Sequence, residues 1–200
     1  MQSEEALMSA QSPAAQRILD TASRLFYENG IDTTGVDTVI ARSGVAKMTL
    51  YKHYGSKDEL VAAYLRRRDA LWREHLASAV EARTDPRERL TAVLDTLQEW
   101  LAGETEQYRG CAFVNAAAEV SDPDHPARAV VADHKRWMRS YLDRLAAATG
   151  ARDPHALAEQ LFVVLEGAPV TAVVHGCGAA MAAARGAAEA LIAAHCPERG

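Results

Sequence analysis

Cysteine is scarce in this sequence, and the common metal and nucleotide motifs are missing. The three cysteines in 200 residues, Cys111, Cys177 and Cys196, are an odd number at wide spacings, which predicts neither a disulfide framework nor a zinc site. The sequence also lacks Glu-x-x-His, His-Glu-x-x-His and Gly-x-x-x-x-Gly-Lys patterns, which are typical of di-iron bundles, zinc proteases and phosphate-binding loops. We therefore expect a protein of the reducing cytoplasm with no metal, no cofactor and no enzymatic activity.

Long apolar runs are scarce as well. The longest, Leu161 to Val174, is interrupted by Glu166, Gly167 and Pro169, and the N-terminus lacks the basic and apolar segments of a signal peptide. A membrane partner is therefore not expected.

Helix formers, in contrast, are abundant. Apolar residues make up 48% of the chain, and only 12 glycines and 7 prolines interrupt it. Alanine, the strongest helix former, dominates the second half. The composition predicts an all-α protein of about nine helices that follow a loose tail at residues 1–11.

Two short helices are predicted behind the first long one. Ser12-Pro13 opens the long helix and Asn29-Gly30 ends it. Thr34 and Asp37 then form a capping-box pattern before a short helix that ends at Gly44, and a second short helix follows. Two short helices around a glycine turn are the parts of a helix-turn-helix, whose second helix lies in the DNA major groove.

The net charge of −5 conceals a cationic segment around these short helices. Between Thr38 and Lys57 there is no carboxylate. The segment carries Arg42, Lys47, Lys52, His53 and Lys57. A solvated helix face usually mixes acids among its bases, so this segment indicates a surface that meets a polyanion such as nucleic acid.

Residues from Ile18 to Leu65 resemble the DNA-binding domain of the tetracycline-repressor (TetR) family of bacterial regulators. The resemblance rests on Ala22–Gly30, on Thr33–Val45 and above all on "TLYKHYGSKDEL" at Thr49–Leu60.

The resemblance implies both a domain plan and a mode of action. Residues 12–60 would form a helix-turn-helix DNA-binding domain, and residues 61–200 a helical bundle for ligand binding and dimerisation. Relatives pair their last two long helices with those of a second copy. The expected partners are therefore a double-stranded DNA operator, a second copy of the chain and a small-molecule effector that the sequence does not identify. The helix from Ser56 toward Glu81 would belong to both domains and carry the ligand signal.

The DNA-contacting residues are expected around the second short helix. Lys47, Met48 and Thr49 at its start are predicted to meet base edges. The sugar-phosphate backbone is expected to contact Thr34, Tyr51, Lys52, His53 and Lys57. Ala46 and Met48 depart from the family pattern, because Ser or Thr is common at the first position and a small residue at the second.

Effector-binding residues are expected in the second half of the chain. Tyr108, Cys111, Asn115 and Glu119 have helical spacing on one side, which faces either a ligand or the solvent. The other candidates are Trp100, His134, Trp137, Tyr141, Phe162 and Glu166.

Several alternatives stay open from the residues alone. Cys111 is either a small buried hydrophobe or a redox or electrophile sensor, and His134 is either a core histidine or a ligand contact. A helical-bundle enzyme would need a constellation of spaced ligands, and an architectural DNA binder would not need the 140 residues from 61 to 200.

Overall fold

The computed structural model describes residues 12–103 and 108–196, and these residues form nine α-helices and no strand. The helices are α1 (Pro13–Asn29), α2 (Val36–Ser43), α3 (Lys47–Tyr54), α4 (Lys57–Glu81), α5 (Pro86–Gly103), α6 (Ala112–Glu119), α7 (Pro126–Ala148), α8 (Pro154–His175) and α9 (Cys177–His195). The all-α prediction is confirmed for the described residues. The tail expected at residues 1–11 lies outside them.

Side-chain caps define most of the predicted helix starts. The capping oxygens accept backbone N–H groups at distances between 2.7 and 3.2 Å. They belong to Ser12, Ser56, Asp85 and Asp153. Such caps satisfy amide groups that have no acceptor inside the helix, so short sequence signals suffice to predict them.

The capping box predicted at Thr34 is wrong. Helix α2 begins at Val36 after Gly35, and no side chain caps it. The Thr34 hydroxyl instead donates to the carbonyl oxygens of Gly30 at 2.7 Å and Leu25 at 3.2 Å. The hydroxyl is used inside the preceding turn and is not available to α2.

The described residues fall into two compact units. Of the described residues, the first unit contains 12–68 and 112–131, and the second contains 69–103, 108–111 and 132–196. Helices α4 and α7 therefore each contribute residues to both units. The single boundary near residue 60 remains a prediction about functional domains, and the grouping of Ala112–Val131 with the first unit is a feature that the sequence did not indicate.

The core of the first unit joins α1 to the helices behind it. Ile18 of α1, Leu50 of α3 and Leu65 of α4 are fully buried. The rings of Phe26 and Tyr64 pack with centroids 5.9 Å apart. Leu50 thus holds α3 in this core, since a helix of eight residues is not long enough to be stable alone.

The second unit is a helical bundle with a continuous apolar core. Leu76, Leu90, Met138, Leu157 and Met181, from five different helices, are almost fully buried. Gly176 separates α8 from α9 at a positive φ of 85°, a conformation that glycine adopts at no steric cost. This core provides the scaffold for the effector-site candidates.

Candidate nucleic-acid interface

A left-handed glycine makes the turn between α2 and α3. Gly44 has φ 66° and ψ 30°, and its N–H donates to the carbonyl oxygen of Ile40 at 3.1 Å. A residue with a Cβ atom adopts this conformation at a cost, so glycine suits the position. The turn lets α3 begin at Lys47, three residues after Gly44.

Two side chains attach α3 to the first unit. Leu50 is fully buried, and the hydroxyl of Tyr54 donates to the carbonyl oxygen of Ala15 at 2.8 Å. Burial raises the pKa of Tyr54, so its phenol stays protonated and able to donate. One side of α3 is thus anchored, and the other side is left to the solvent.

The start of α3 presents an apolar side chain to the solvent. Met48 is 79% exposed and Tyr51 is 38% exposed. A large exposed apolar residue at the start of a short helix has no packing role in this unit. It can contact a thymine methyl group in the major groove of B-DNA.

Lys47 already has an acidic neighbour. Its Nζ atom lies 3.3 Å from Oδ1 of Asp37 in α2, and both side chains are mostly exposed. An exposed ion pair contributes about 0–1 kcal/mol, so Lys47 can exchange this partner for DNA. Asp37 lies one residue before the acid-free segment, which is why the sequence did not indicate the pair.

Most predicted phosphate contacts lie on or next to the outer face of α3. Lys52 and His53 are exposed, and Lys57 at the start of α4 is half-buried. The Nε2 atom of His53 lies 3.1 Å from Oγ of Ser12, which joins the end of α3 to the start of α1. Thr49 is half-buried beside Met48.

Thr34 does not belong to this surface. Its side chain is only 3% exposed, and its hydroxyl is bonded to the carbonyl oxygens of Leu25 in α1 and Gly30 in the α1–α2 turn. The structure therefore corrects the prediction that Thr34 contacts a phosphate: the side chain stabilises the turn.

The N-terminus of α3 is uncapped. Ala46 precedes the helix and supplies no side-chain hydrogen bond. The first amide groups of an α-helix lack acceptors within the helix and carry a partial positive charge, which suits them to a phosphate. The missing cap noted in the sequence thus leaves these amides available to DNA.

Comparison with known proteins matches both halves of this arrangement. A family model described as "Bacterial regulatory proteins, tetR family" matches residues 18–64, and one described as "Tetracyclin repressor-like, C-terminal domain" matches residues 86–188. The second match alone spans more than half of the chain. The chain belongs to the TetR family.

Individual relatives agree with this assignment. The HTH-type transcriptional regulator LmrA of Bacillus subtilis is 33% identical over 132 residues, which are 65% of this chain and 70% of the relative. The HTH-type transcriptional activator FasR of Mycolicibacterium smegmatis is 32% identical over 93 residues, 46% of this chain and 42% of the relative. The crystal structure of SCO4454, a TetR-family regulator from Streptomyces coelicolor, has a TM-score of 0.87 and 30% identity, and the match covers 94% of this chain and 98% of that one.

A more distant structure shows the fold alone. The reduced form of E. coli NemR has a TM-score of 0.78 at 19% identity, with 90% of this chain and 98% of that chain covered.

As a TetR-family member, this chain is a DNA-binding transcriptional regulator and not an enzyme. Members of the family are soluble cytoplasmic proteins that bind DNA operators as dimers.

Two predicted effector contacts of this TetR-family chain lie in the first unit. Asn115 and Glu119 are in α6, and Glu119 accepts hydrogen bonds from the α1–α2 turn. Tyr108 and Cys111 precede α6, which begins at Ala112, and belong to the second unit. The expectation that these four residues share one side of a helix is therefore wrong, because the helix starts after the first two.

A second group of candidates forms a polar cluster inside the bundle. Lys135 of α7 contacts both carboxylate oxygens of Glu166 in α8 at 2.6 and 2.7 Å, and its Nζ atom is 3.7 Å from Sγ of Cys111. The hydroxyl of Tyr108 donates to the carbonyl oxygen of Pro169 at 3.1 Å. Glu166, a predicted effector contact, is thus paired with Lys135 inside the protein.

The aromatic effector candidates of α7 and α8 lie next to arginine side chains, and the two in α7 stack on each other. The rings of Trp137 and Tyr141 are 4.9 Å apart and 18° from parallel. The guanidinium of Arg73 lies 4.5 Å from the centre of the Trp137 ring, and that of Arg139 lies 5.8 Å from Phe162. Burial is the main cause that raises the pKa of Tyr141.

His134 has the environment of a core histidine. It is 6% exposed, and its Nδ1 atom lies 2.7 Å from Oδ1 of Asp69. Burial lowers its pKa, although the hydrogen bond with Asp69 acts in the opposite direction. His134 is therefore neutral near pH 7 and holds α7 to α4.

The second unit contains a groove of about 670 Å³. Its lining consists of Leu71, Glu74, His75, Ser78, Glu99, Trp100 and Gly103. Trp100 is the one residue of the described lining that the sequence analysis named as an effector contact. The indole of Trp100 meets Trp72 edge to face at 5.5 Å, and the ring of His75 is 5.8 Å away. The described lining contains two carboxylates and no lysine or arginine. Four of the lining residues lie on α4, at positions 71, 74, 75 and 78, a helical pattern that on its own is indistinguishable from an ordinary exposed face.

Proposed function

We propose that this TetR-family regulator is a homodimeric repressor that leaves its operator when a small molecule binds. The observation that carries the proposal is the exposed start of α3, where Lys47 and Met48 project from a helix whose opposite side is anchored by Leu50. Such an arrangement supports insertion into the major groove with base contacts from the helix start. Lys52, His53 and Lys57 supply the phosphate contacts.

Dimerisation is supported by the exposed side of α8. Val163, Val170, Val173 and Val174 are between 52% and 71% exposed. Exposed apolar residues on one helix favour a protein partner, and dimers are the rule in this family. The same apolarity makes α8 and α9 long and apolar enough, by length and composition alone, to cross a membrane. A second copy covering these helices accounts for that composition, and we place the protein in the cytoplasm.

Dimerisation can be tested on this side alone. Replacing Val163 and Val174 by Asp should produce a helical monomer in sedimentation equilibrium, because each change buries a charge in the interface. Ala147→Asp, at an exposed position of α7, is the control and should remain dimeric. A dimeric valine double variant would contradict the assignment of α8.

The release step is supported by the continuity of α4. This helix runs from Lys57, directly behind α3, to Glu81 in the second unit. A ligand that prefers one position of α4 shifts the population toward it. To move that population from 1:99 to 99:1, the ligand must prefer one state by about 10⁴-fold, or ~5.5 kcal/mol.

The groove beside Trp100 supports an aromatic cation as the effector class. An indole face attracts cations, and the carboxylates of Glu74 and Glu99 add charge of the required sign. Methyltriphenylphosphonium and the neutral triphenylphosphine oxide form a matched pair of probes. Calorimetry should detect the cation only, with weaker binding by Glu99→Gln. Equal binding of both probes, or of neither, would reject this effector class without affecting the DNA-binding function.

Operator binding and release can be tested together. The purified protein should protect two adjacent major-groove segments in DNA that flanks its own gene, and an effector should remove the protection. Protection that every bound compound leaves unchanged would reject ligand release. Protection that a compound creates would indicate activation instead of repression.

A cysteine-based sensor is the second candidate. Its supporting observation is the 3.7 Å contact between Lys135 Nζ and Cys111 Sγ. The Lys135 ammonium group lies closer to both carboxylate oxygens of Glu166 than to Cys111. The negative charge of Glu166 therefore offsets the positive charge that would favour a thiolate at Cys111. The ligand-responsive repressor is therefore the better supported of the two.

A further inference from the structure

Glu119 joins the last turn of α6 to the turn that precedes α2. One carboxylate oxygen, Oε2, accepts the N–H of Ile31 at 2.6 Å and the N–H of Asp32 at 3.0 Å. Charge-assisted bonds of this kind are stronger than neutral ones. Residue 119 lies 88 positions from Ile31 in the chain, so the contact is purely tertiary.

The turn is shaped to receive this carboxylate. Gly30 has φ 97°, and a Cβ atom added there would lie 3.0 Å from Oε2 of Glu119. The N–H of Ile31 belongs to a residue that is only 5% exposed. Without Glu119, that donor would be left in a buried position with no carboxylate to accept it, and an unsatisfied buried donor is costly.

The loop between α6 and α7 also contacts the start of α4. The Nδ1 atom of His125 accepts the N–H of Ala127 at 3.0 Å, which places the histidine proton on Nε2. That Nε2 atom lies 3.4 Å from Oδ1 of Asp58, the second residue of α4. Arg128 closes the loop by donating to the carbonyl oxygen of Val120 at 2.9 Å.

We infer that Glu119 is a positioning residue for operator recognition. Its carboxylate holds the α1–α2 turn, and that turn determines where α2, and with it α3, leaves α1. Glu119 lies at the end of α6, outside the helix-turn-helix, and has no role in phosphate binding. Operator affinity therefore depends on the position of α6.

The test uses the full-length dimer and two replacements. Glu119→Ala removes the oxygen that accepts both hydrogen bonds, and we expect operator affinity to fall about tenfold because a buried donor is left unpaired in the bound geometry. Glu119→Gln keeps an uncharged acceptor and should fall by about threefold. Asp124→Ala, an exposed acid in the loop after α6, removes the same charge and should change affinity by less than about twofold.

Two readouts separate positioning from a general loss of structure or charge. Hydrogen exchange at the Ile31 and Asp32 amides should accelerate in Glu119→Ala, whereas protection in the second unit stays unchanged. The salt dependence of operator binding should keep its slope, because no phosphate contact is lost.

Three outcomes would overturn the inference. One is unchanged operator affinity in both variants, and another is an equal loss on operator and unrelated DNA. The third is an Asp124→Ala variant that binds operator as weakly as Glu119→Ala does, which would attribute the loss to the removed negative charge and not to the lost hydrogen bonds. If Glu119→Ala fails to fold, Glu119→Gln decides by the same measurements.

Discussion

His134 and Asp69 form a short hydrogen bond, 2.7 Å from Nδ1 to Oδ1, that joins α7 to α4 within the second unit. Asp69 also contacts Arg73 one turn further along α4, with 2.6 Å between Oδ2 and Nη2. Burial alone would raise the pKa of Asp69, but the hydrogen bonds from His134 and Arg73 lower it. The carboxylate is therefore ionised, and the neutral imidazole donates to it.

The pH dependence of stability follows from His134. Its pKa is lowered in the folded state, mainly by burial, from an ordinary value of 6.5. Below that value the unfolded chain binds a proton more readily than the folded chain does, so stability is complete above pH 6.5 and declines as the pH falls toward the folded pKa. Lys135 nearby acts in the same direction, whereas Asp69 and Glu166 oppose it.

Urea unfolding between pH 8 and pH 5 checks this prediction. His134→Gln should lower stability at pH 8 and remove part of the decline toward pH 5. His155→Gln is the control, because that ring is exposed and Asp143 raises its pKa. A native protein whose stability rises on acidification through this range would contradict the assignment.

Leu50 and Met48, two positions apart in α3, should respond in opposite ways. Leu50→Ala removes a fully buried side chain and should cost about 2–5 kcal/mol of folding free energy, measured by urea unfolding. DNA binding should fall only as a consequence of unfolding.

Met48→Ala should leave stability within about 0.5 kcal/mol, because the side chain is 79% exposed. Operator discrimination should fall instead, by about 1 kcal/mol or more for the contacted base pair, since only a base contact is removed. A competition assay against operators changed one base pair at a time checks this. An unchanged preference at every base pair would rule out a base contact by Met48.

Removing a phosphate contact should change the salt dependence. Lys52→Ala should weaken operator and unrelated DNA to the same extent and reduce the slope of log K against log salt by about 0.9. Lys57→Ala should behave in the same way if it meets phosphate. Arg136→Ala, in an exposed ion pair of α7, is the control for lost positive charge. A slope identical to that of the parent protein would exclude the corresponding lysine.

The pair of Lys135 and Glu166 should be more sensitive to a single change than to a double one. Glu166→Leu leaves a partly buried ammonium unpaired, which should cost several kcal/mol, up to about 3–5. Adding Lys135→Met should restore most of that loss, because two apolar groups replace the pair. Urea unfolding of the three variants checks the prediction, and an additive double variant would contradict it.

Neighbouring residues determined much of what the sequence predicted. Ser12 and Asp153 cap helices through amides three positions away, Gly44 makes its turn with its own backbone, and Met48 follows the turn directly. These interactions are complete within one or two turns of chain, so the helix-turn-helix and the exposed start of α3 could be read before any fold was known.

Only the tertiary structure decided the partners that lie far apart. Glu119 holds Ile31 across 88 positions, Asp69 meets His134 across 65, and Glu166 meets Lys135 across 31. Nothing in the spacing of these residues distinguishes a ligand contact from a structural bond, because a carboxylate serves either purpose and burial selects between them. The amino-acid sequence by itself determined that this chain reads DNA with a short helix, and the packing of distant helices decided which of its polar side chains hold that helix in place.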